Sequence, residues 1–187
     1  MLWPDYRLRT REALKAEDGY LSWVVVEPIW FFPTPADRSP RRPWKWRFVT
    51  KGQLLIYSVT WLEREVLNGG FAQYFCNPSG SFFVDTLEGF ERCGMRQYVD
   101  LLIEAAHIFP DGKPSLIRNE RMAFIDRCAE NQRAQGNGVD MEENLMVVND
   151  FVFDGCNHRF YEIYGDGNEY YARMARYIRS HPEEFFK

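Results

Sequence analysis

Between residues 50 and 67, apolar side chains return at Leu55, Val59, Leu62 and Val66, spacings that place all four on one face of a helix. Thr50, with Gln53 three residues on, has the pattern of a capping box, so the helix is expected to start there. Asn68-Gly69-Gly70 then interrupts the periodicity. An aromatic-rich stretch at 71–76 follows and is stopped by Asn77-Pro78-Ser79-Gly80. The pattern predicts a helix, a sharp corner and a short second helix, with Asn68 or Gly69 capping the first and Phe71 and Phe75 entering the core. Downstream, Ser81 can cap a helix that carries Phe83, Leu87 and Phe90 on one face, and Gly94 breaks it. Met95, Tyr98, Val99, Leu102, Ile103 and Ala106 form the cleanest helical stripe in the chain, closed by Phe109-Pro110-Asp111-Gly112. Further helices are expected over 115–131, 141–149 and 158–164. A last one carries Tyr170, Tyr171, Met174, Tyr177 and Ile178 and ends before Pro182.

Upstream of residue 50 the pattern is less regular. Residues 1–20 read as a polar helical lead-in. Residues 21–32 (LSWVVVEPIWFF) are the most apolar run, and Val24, Val25 and Val26 favour a strand while the flanks also permit a short buried helix. The run is too short to span a bilayer and is interrupted by Glu27-Pro28. Pro28, Pro33, Pro35, Pro40 and Pro43 argue against a long sheet strand, and 33–47 reads as a Pro/Arg loop. Helices joined by short connections predict an all-α fold, a single compact multi-helix domain. Its expected organisation is an N-terminal arm, 1–49, packing on a helical domain, 50–187.

Composition alters this picture in two respects. Aromatic residues make up 17% of the chain, enough to fill a core with few side chains. The net charge of −4 is small but polarised: residues 1–60 carry +4, residues 61–119 carry −3 and residues 120–187 carry −5. Cys76, Cys93, Cys128 and Cys156 form no C-x-x-C pair and mostly lie in apolar segments, which fits reduced thiols in a cytoplasmic protein. Residues 1–20 lack the apolar run of a signal peptide, so none is expected.

Candidate chemistry is sparse. His107, His158 and His181 accompany no nucleophile signature. Cys156, His158 and Asp154 fall short of a zinc set, and Asp166-Gly167-Asn168-Glu169 lacks the later ligands of a calcium loop. Glu63 and Glu65, two apart on a helix, point to different faces and make a poor acid/base pair. No catalytic residue, metal or cofactor is expected.

Two charge runs remain. Arg38, Arg41, Arg42, Lys45, Arg47 and Lys51 occur without an acidic residue, interleaved with Trp44, Trp46 and Phe48. Cations alternating with flat rings suit phosphates and unstacked bases, although a proline-rich loop anchored by its tryptophans reads the same way. Over 140–169 the sign reverses: Asp140, Glu142, Glu143, Asp150, Asp154, Glu162, Asp166 and Glu169 stand against Arg159 alone, leaving −7. Carboxylates held on rigid helices can present spaced negative charge to a basic partner; an ordinary solvated acidic face has the same composition.

Glu65, Asn68, Gly69, Gly70, Phe71, Gln73, Phe75 and Asn77, within EVLNGGFAQYFCN, resemble the signature of the DNA-mimic protein 19-like family, with Leu67 in place of a first Asn. The resemblance extends over about residues 50–186 and includes the tail from Phe160-Tyr161 to Pro182-Glu183. It implies an all-α fold, treats the signature as structural, and implies for the named member a dimer whose acidic surface mimics duplex DNA and occupies a helix-turn-helix regulator. The basic N-terminal segment departs from that pattern. The expectation is a non-catalytic interaction module that presents the acidic face to a basic protein, such as a DNA-binding regulator, with no membrane association. The alternatives are a nucleic-acid-binding protein using the basic loop, an enzyme of unrecognised type, and a homodimer formed by docking that loop on the acidic helices.

Overall fold

The computed structural model describes residues 5–8, 12–32, 44–135 and 150–187. Among them are seven α-helices: α1 (Asp18–Val26), α2 (Lys51–Cys76), α3 (Phe83–Arg92), α4 (Arg96–Ala106), α5 (Arg118–Ala134), α6 (Asp154–Tyr164) and α7 (Asn168–Ser180). Helix α2 is the axis: α1, α3, α5 and α6 all pack on it, while α7 packs on α1 and α4 on α3 and α6.

The start of α2 is the expected capping box. Gln53 N–H donates to Thr50 Oγ1 (3.2 Å), and the Gln53 side chain accepts from the Thr50 backbone (3.4 Å). Leu55, Val59, Leu62 and Val66 are all buried, as their spacing required. Close approach of α3 depends on Gly89, where a Cβ would lie 2.6 Å from Val59 Cγ2 and 3.0 Å from the Leu55 carbonyl oxygen.

The corner falls inside α2. Gly69 (φ −164°, ψ 34°) and Gly70 (φ 68°, ψ −175°) are non-helical, and the conformation of Gly70 is one that a residue with a Cβ rarely adopts. A break of this kind frees backbone groups on both sides, and α6 satisfies them. Asn157 Oδ1 accepts from Phe71 N–H (2.9 Å), and the Tyr161 hydroxyl donates to the Val66 carbonyl (3.0 Å). Beyond the corner Phe71 and Phe75 are buried, joining Phe153, Phe160 and Phe109 in an aromatic cluster. At the end of α2 the fully buried guanidinium of Arg121, on α5, donates to the carbonyls of Phe75 (2.7 Å) and Asn77 (2.8 Å). This cation meets the negative end of the helix dipole.

Of the two readings left open for 21–32, the short buried helix is the one found: the run lies partly in α1, whose Leu21, Val25 and Val26 are fully buried, and packing outweighs the strand preference of three valines. Other expectations need correction. Ser81 does not cap α3; its hydroxyl donates to the Pro78 carbonyl within a 3₁₀ segment, Pro78–Phe82, and α3 follows without a side-chain cap. Of the two residues expected to end the first segment of α2, it is Gly69 that first leaves helical backbone, while the Asn68 amide donates to Gln73. Helix α5 starts at Arg118 rather than 115, and α6 starts at Asp154 rather than 158. The helix expected over 141–149 lies outside the described residues. No helix among the described residues is long and apolar enough to cross a membrane.

Candidate functional site

The signature residues converge on one buried carboxylate. Glu65, only 5% exposed, accepts from Gln73 Nε2 (2.6 Å) and Asn77 Nδ2 (2.8 Å) at Oε2, and from the Ser79 hydroxyl (2.9 Å) at Oε1. Asn68 Nδ2 in turn donates to Gln73 Oε1 (2.9 Å). The corner at Gly69-Gly70 turns the chain back so that Gln73 and Asn77 can reach a residue one to two turns before the break. The signature is therefore a polar network as well as a fold device.

Glu65 also lines a cavity of about 330 Å³, together with Tyr57 and Trp61 on α2 and Pro78, Ser79 and Phe82 opposite. The Trp61 indole stacks on Trp30 (centroids 4.7 Å apart, 5° between planes), and Arg64 lies over Trp30 at 4.9 Å. Burial pushes the Tyr57 hydroxyl up to about 12, against a smaller opposing effect of the Trp61 indole. A second interior carboxylate, Glu63, is 3% exposed and accepts from the hydroxyls of Tyr164 (2.7 Å) and Tyr171. Burial first, and then those hydrogen bonds, raises the pKa of both tyrosines. Sequence reading places Glu63 and Glu65 on different faces but misses that both faces are interior. The available signal was the stripe Tyr57, Trp61, Glu65 at intervals of four, with Gln73, Asn77 and Ser79 able to reach its end.

Of the acidic run, Asp154, Glu162, Asp166 and Glu169 are exposed on α6, the turn after it and the start of α7. Asp166 holds its own turn, accepting from Asn168 N–H (3.0 Å) and Asn168 Nδ2 (2.6 Å), and Glu169 pairs with Arg173 (2.8 Å). Arg159 pairs with Glu104 on α4. Asp150 opens the 3₁₀ segment Asp150–Phe153, and Asp140, Glu142 and Glu143 lie outside the described residues.

The basic run divides. Arg38, Arg41 and Arg42 lie outside the described residues. Trp44 is 61% exposed and Arg47 is exposed, while Lys45 Nζ sits 5.6 Å above the Phe32 ring. Trp46 is a correction: it is 7% exposed and packed against Tyr57, Phe82 and Phe32, so its ring offers no face to a base. Among the described residues no group of three or more His, Cys, Asp or Glu is placed to hold a metal.

A sequence model of the DMP19-like protein family matches residues 48–181. No curated protein and no solved structure matches the chain.

Proposed function

This chain belongs to the DMP19-like protein family, and on that premise we propose that it is a non-catalytic protein-binding module whose exposed carboxylates on α6 and α7 engage a basic partner, a DNA-binding regulator. The observation that carries this reading is the placement of Asp154, Glu162, Asp166 and Glu169, all exposed on two consecutive helices and the turn between them. Side chains held on packed helices give charge a fixed spacing, which a flexible acidic tail cannot do. The neighbouring helix α4 extends the surface with exposed Asp100 and Glu104, although Arg96 and Arg159 pair with these two.

The test is titration of the chain against a panel of helix-turn-helix regulators at rising salt. The reading expects an affinity that falls steeply with ionic strength and weakens about tenfold in the double variant D154N/E162Q. Binding indifferent to salt, or unchanged in that variant, defeats it. A second reading rests on Trp44, exposed beside Arg47: a gel shift with single-stranded and duplex DNA at low salt, where phosphate contacts are strongest, would support it, and no shift would remove it.

A further inference from the structure

Helix α3 hands the chain to α4 across residues 93–95. Gly94 (φ 70°) makes the turn in the left-handed region. Its N–H donates to the Glu91 carbonyl (3.0 Å), and that of Met95 donates to the Phe90 carbonyl (2.8 Å). Helix α4, 11 residues long, then begins directly after Met95, which offers no side-chain oxygen to cap it. The backbone N–H groups of Arg96 and Gln97 are left without a partner among the described residues. This turn forms one wall of a pocket of about 200 Å³, and Glu169, Tyr170 and Arg173 of α7 form the other. Pockets for drug-sized ligands run to about 300–1,000 Å³, so this one suits an ion or a single small group.

A helix N-terminus attracts any anion weakly; Tyr98 makes this one more particular. Tyr98 is 7% exposed, its ring stacked on Phe90 (centroids 5.3 Å apart) and edge-on to Tyr170 (5.1 Å), yet it lines the pocket. Its hydroxyl makes no hydrogen bond among the described residues. Nor is it one of the sealed orphans, which are the Tyr57 hydroxyl and Trp61 Nε1, so it keeps access to the space that Tyr98 lines. Burial, and after it the charge of Glu63, raises its pKa well above the usual tyrosine value, so it stays protonated and can donate. The Arg173 charge acts on it in the opposite sense, which sets the guanidinium near the hydroxyl. Arg173 is itself oriented: Nη1 donates to the Gly94 carbonyl (2.6 Å) and Nε pairs with Glu169 (2.8 Å), leaving Nη2 unspent among the described residues.

We propose that this pocket binds a phosphate group, with the N–H groups of Arg96 and Gln97, the Tyr98 hydroxyl and Arg173 Nη2 as donors. The charges that line it are Arg96 and Arg173 against Glu169, and Glu169 is already paired. Donors coming from two helices and the side chain between them suit the several oxygens of a phosphate, whereas a carboxylate presents two oxygens in one plane. An ammonium would leave every donor unmet. Met95 and Ile163, also in the lining, give an apolar surface for the body of a phosphate ester. The site does not rest on the reading of the acidic surface, since it is tested with phosphate alone and no protein partner.

The experiment titrates the full ¹⁵N-labelled chain with inorganic phosphate, phenyl phosphate, acetate and methylammonium, at constant pH and ionic strength. The readout is the backbone amide resonances of Arg96 and Gln97. Phosphate is expected to move both downfield to saturation, with a dissociation constant of order 1 mM and at least about tenfold more tightly than acetate or methylammonium. Equal binding of the two phosphates marks the free ion as sufficient; tighter phenyl phosphate marks an ester lying on Met95 and Ile163. Tyr98→Phe removes the hydroxyl without breaking an internal hydrogen bond, and should weaken phosphate about 3–10-fold while leaving the other amide resonances in place. Arg173→Gln should weaken it about tenfold or more. Amides that do not move by about 50 mM phosphate, well above the expected constant, overturn the proposal. So do acetate binding as tightly as phosphate, and a Tyr98→Phe chain that binds phosphate as its parent does.

Discussion

Glu65 and Glu162 carry the same group and sit in opposite worlds. Glu65 is enclosed beside the corner of α2, held by Gln73, Asn77 and Ser79; Glu162 stands in solvent on α6. The difference lies in what surrounds each in sequence and in space. Donors 8, 12 and 14 residues downstream are folded back onto Glu65 by the break at Gly69-Gly70, so that carboxylate can be buried without leaving its charge unsolvated. Glu162 has no such set among the described residues. Counting carboxylates along a sequence therefore overstates the acidity of a surface: Glu63 and Glu65 both contribute to net charge, and neither faces water.

The sharpest way to break the comparison is to empty the enclosed position. Glu65→Ala strands three donors at once and should lower the free energy of unfolding by about 3–5 kcal/mol, read by chemical denaturation. A loss below about 1 kcal/mol would mean that Gln73, Asn77 and Ser79 find other partners, and that the network does not hold the corner. Next comes the corner itself. Gly70→Ala puts a Cβ on backbone at φ 68°, ψ −175°, and should cost about 2–3 kcal/mol in the same assay. Tolerance of alanine would show that the break can be remade. The smallest effect belongs to the surface: D154N/E162Q should leave stability within about 0.5 kcal/mol of the parent, so that any loss of partner binding in that variant reports on the interface and not on folding.

These outcomes also bear on how much could be read from sequence. The capping box at Thr50, the corner at Gly69-Gly70 and the burial of Phe71 and Phe75 were legible because each depends on residues only a few positions apart. The burial of Glu63 was not, since its donors Tyr164 and Tyr171 lie 101 and 108 residues away. Trp46 could not be separated from Trp44 by any local rule; only the cage of Tyr57, Phe82 and Phe32 distinguishes the interior ring from the exposed one. The start of α6 was missed because Asp154-Gly155 breaks the apolar rhythm, while the packing of Phe160 and Asn157 against α2 makes the segment helical.

The bend in α2 has a temporal consequence as well. Its two loose ends, the amide of Phe71 and the carbonyl of Val66, are closed by residues 86 and 95 positions later in the chain. While the polypeptide emerges from the ribosome, the long central rod is made well before the side chains that lock its hinge. Those two backbone groups have only water as a partner until residues 157 and 161 have been made, so the hinge is completed only when α6 docks.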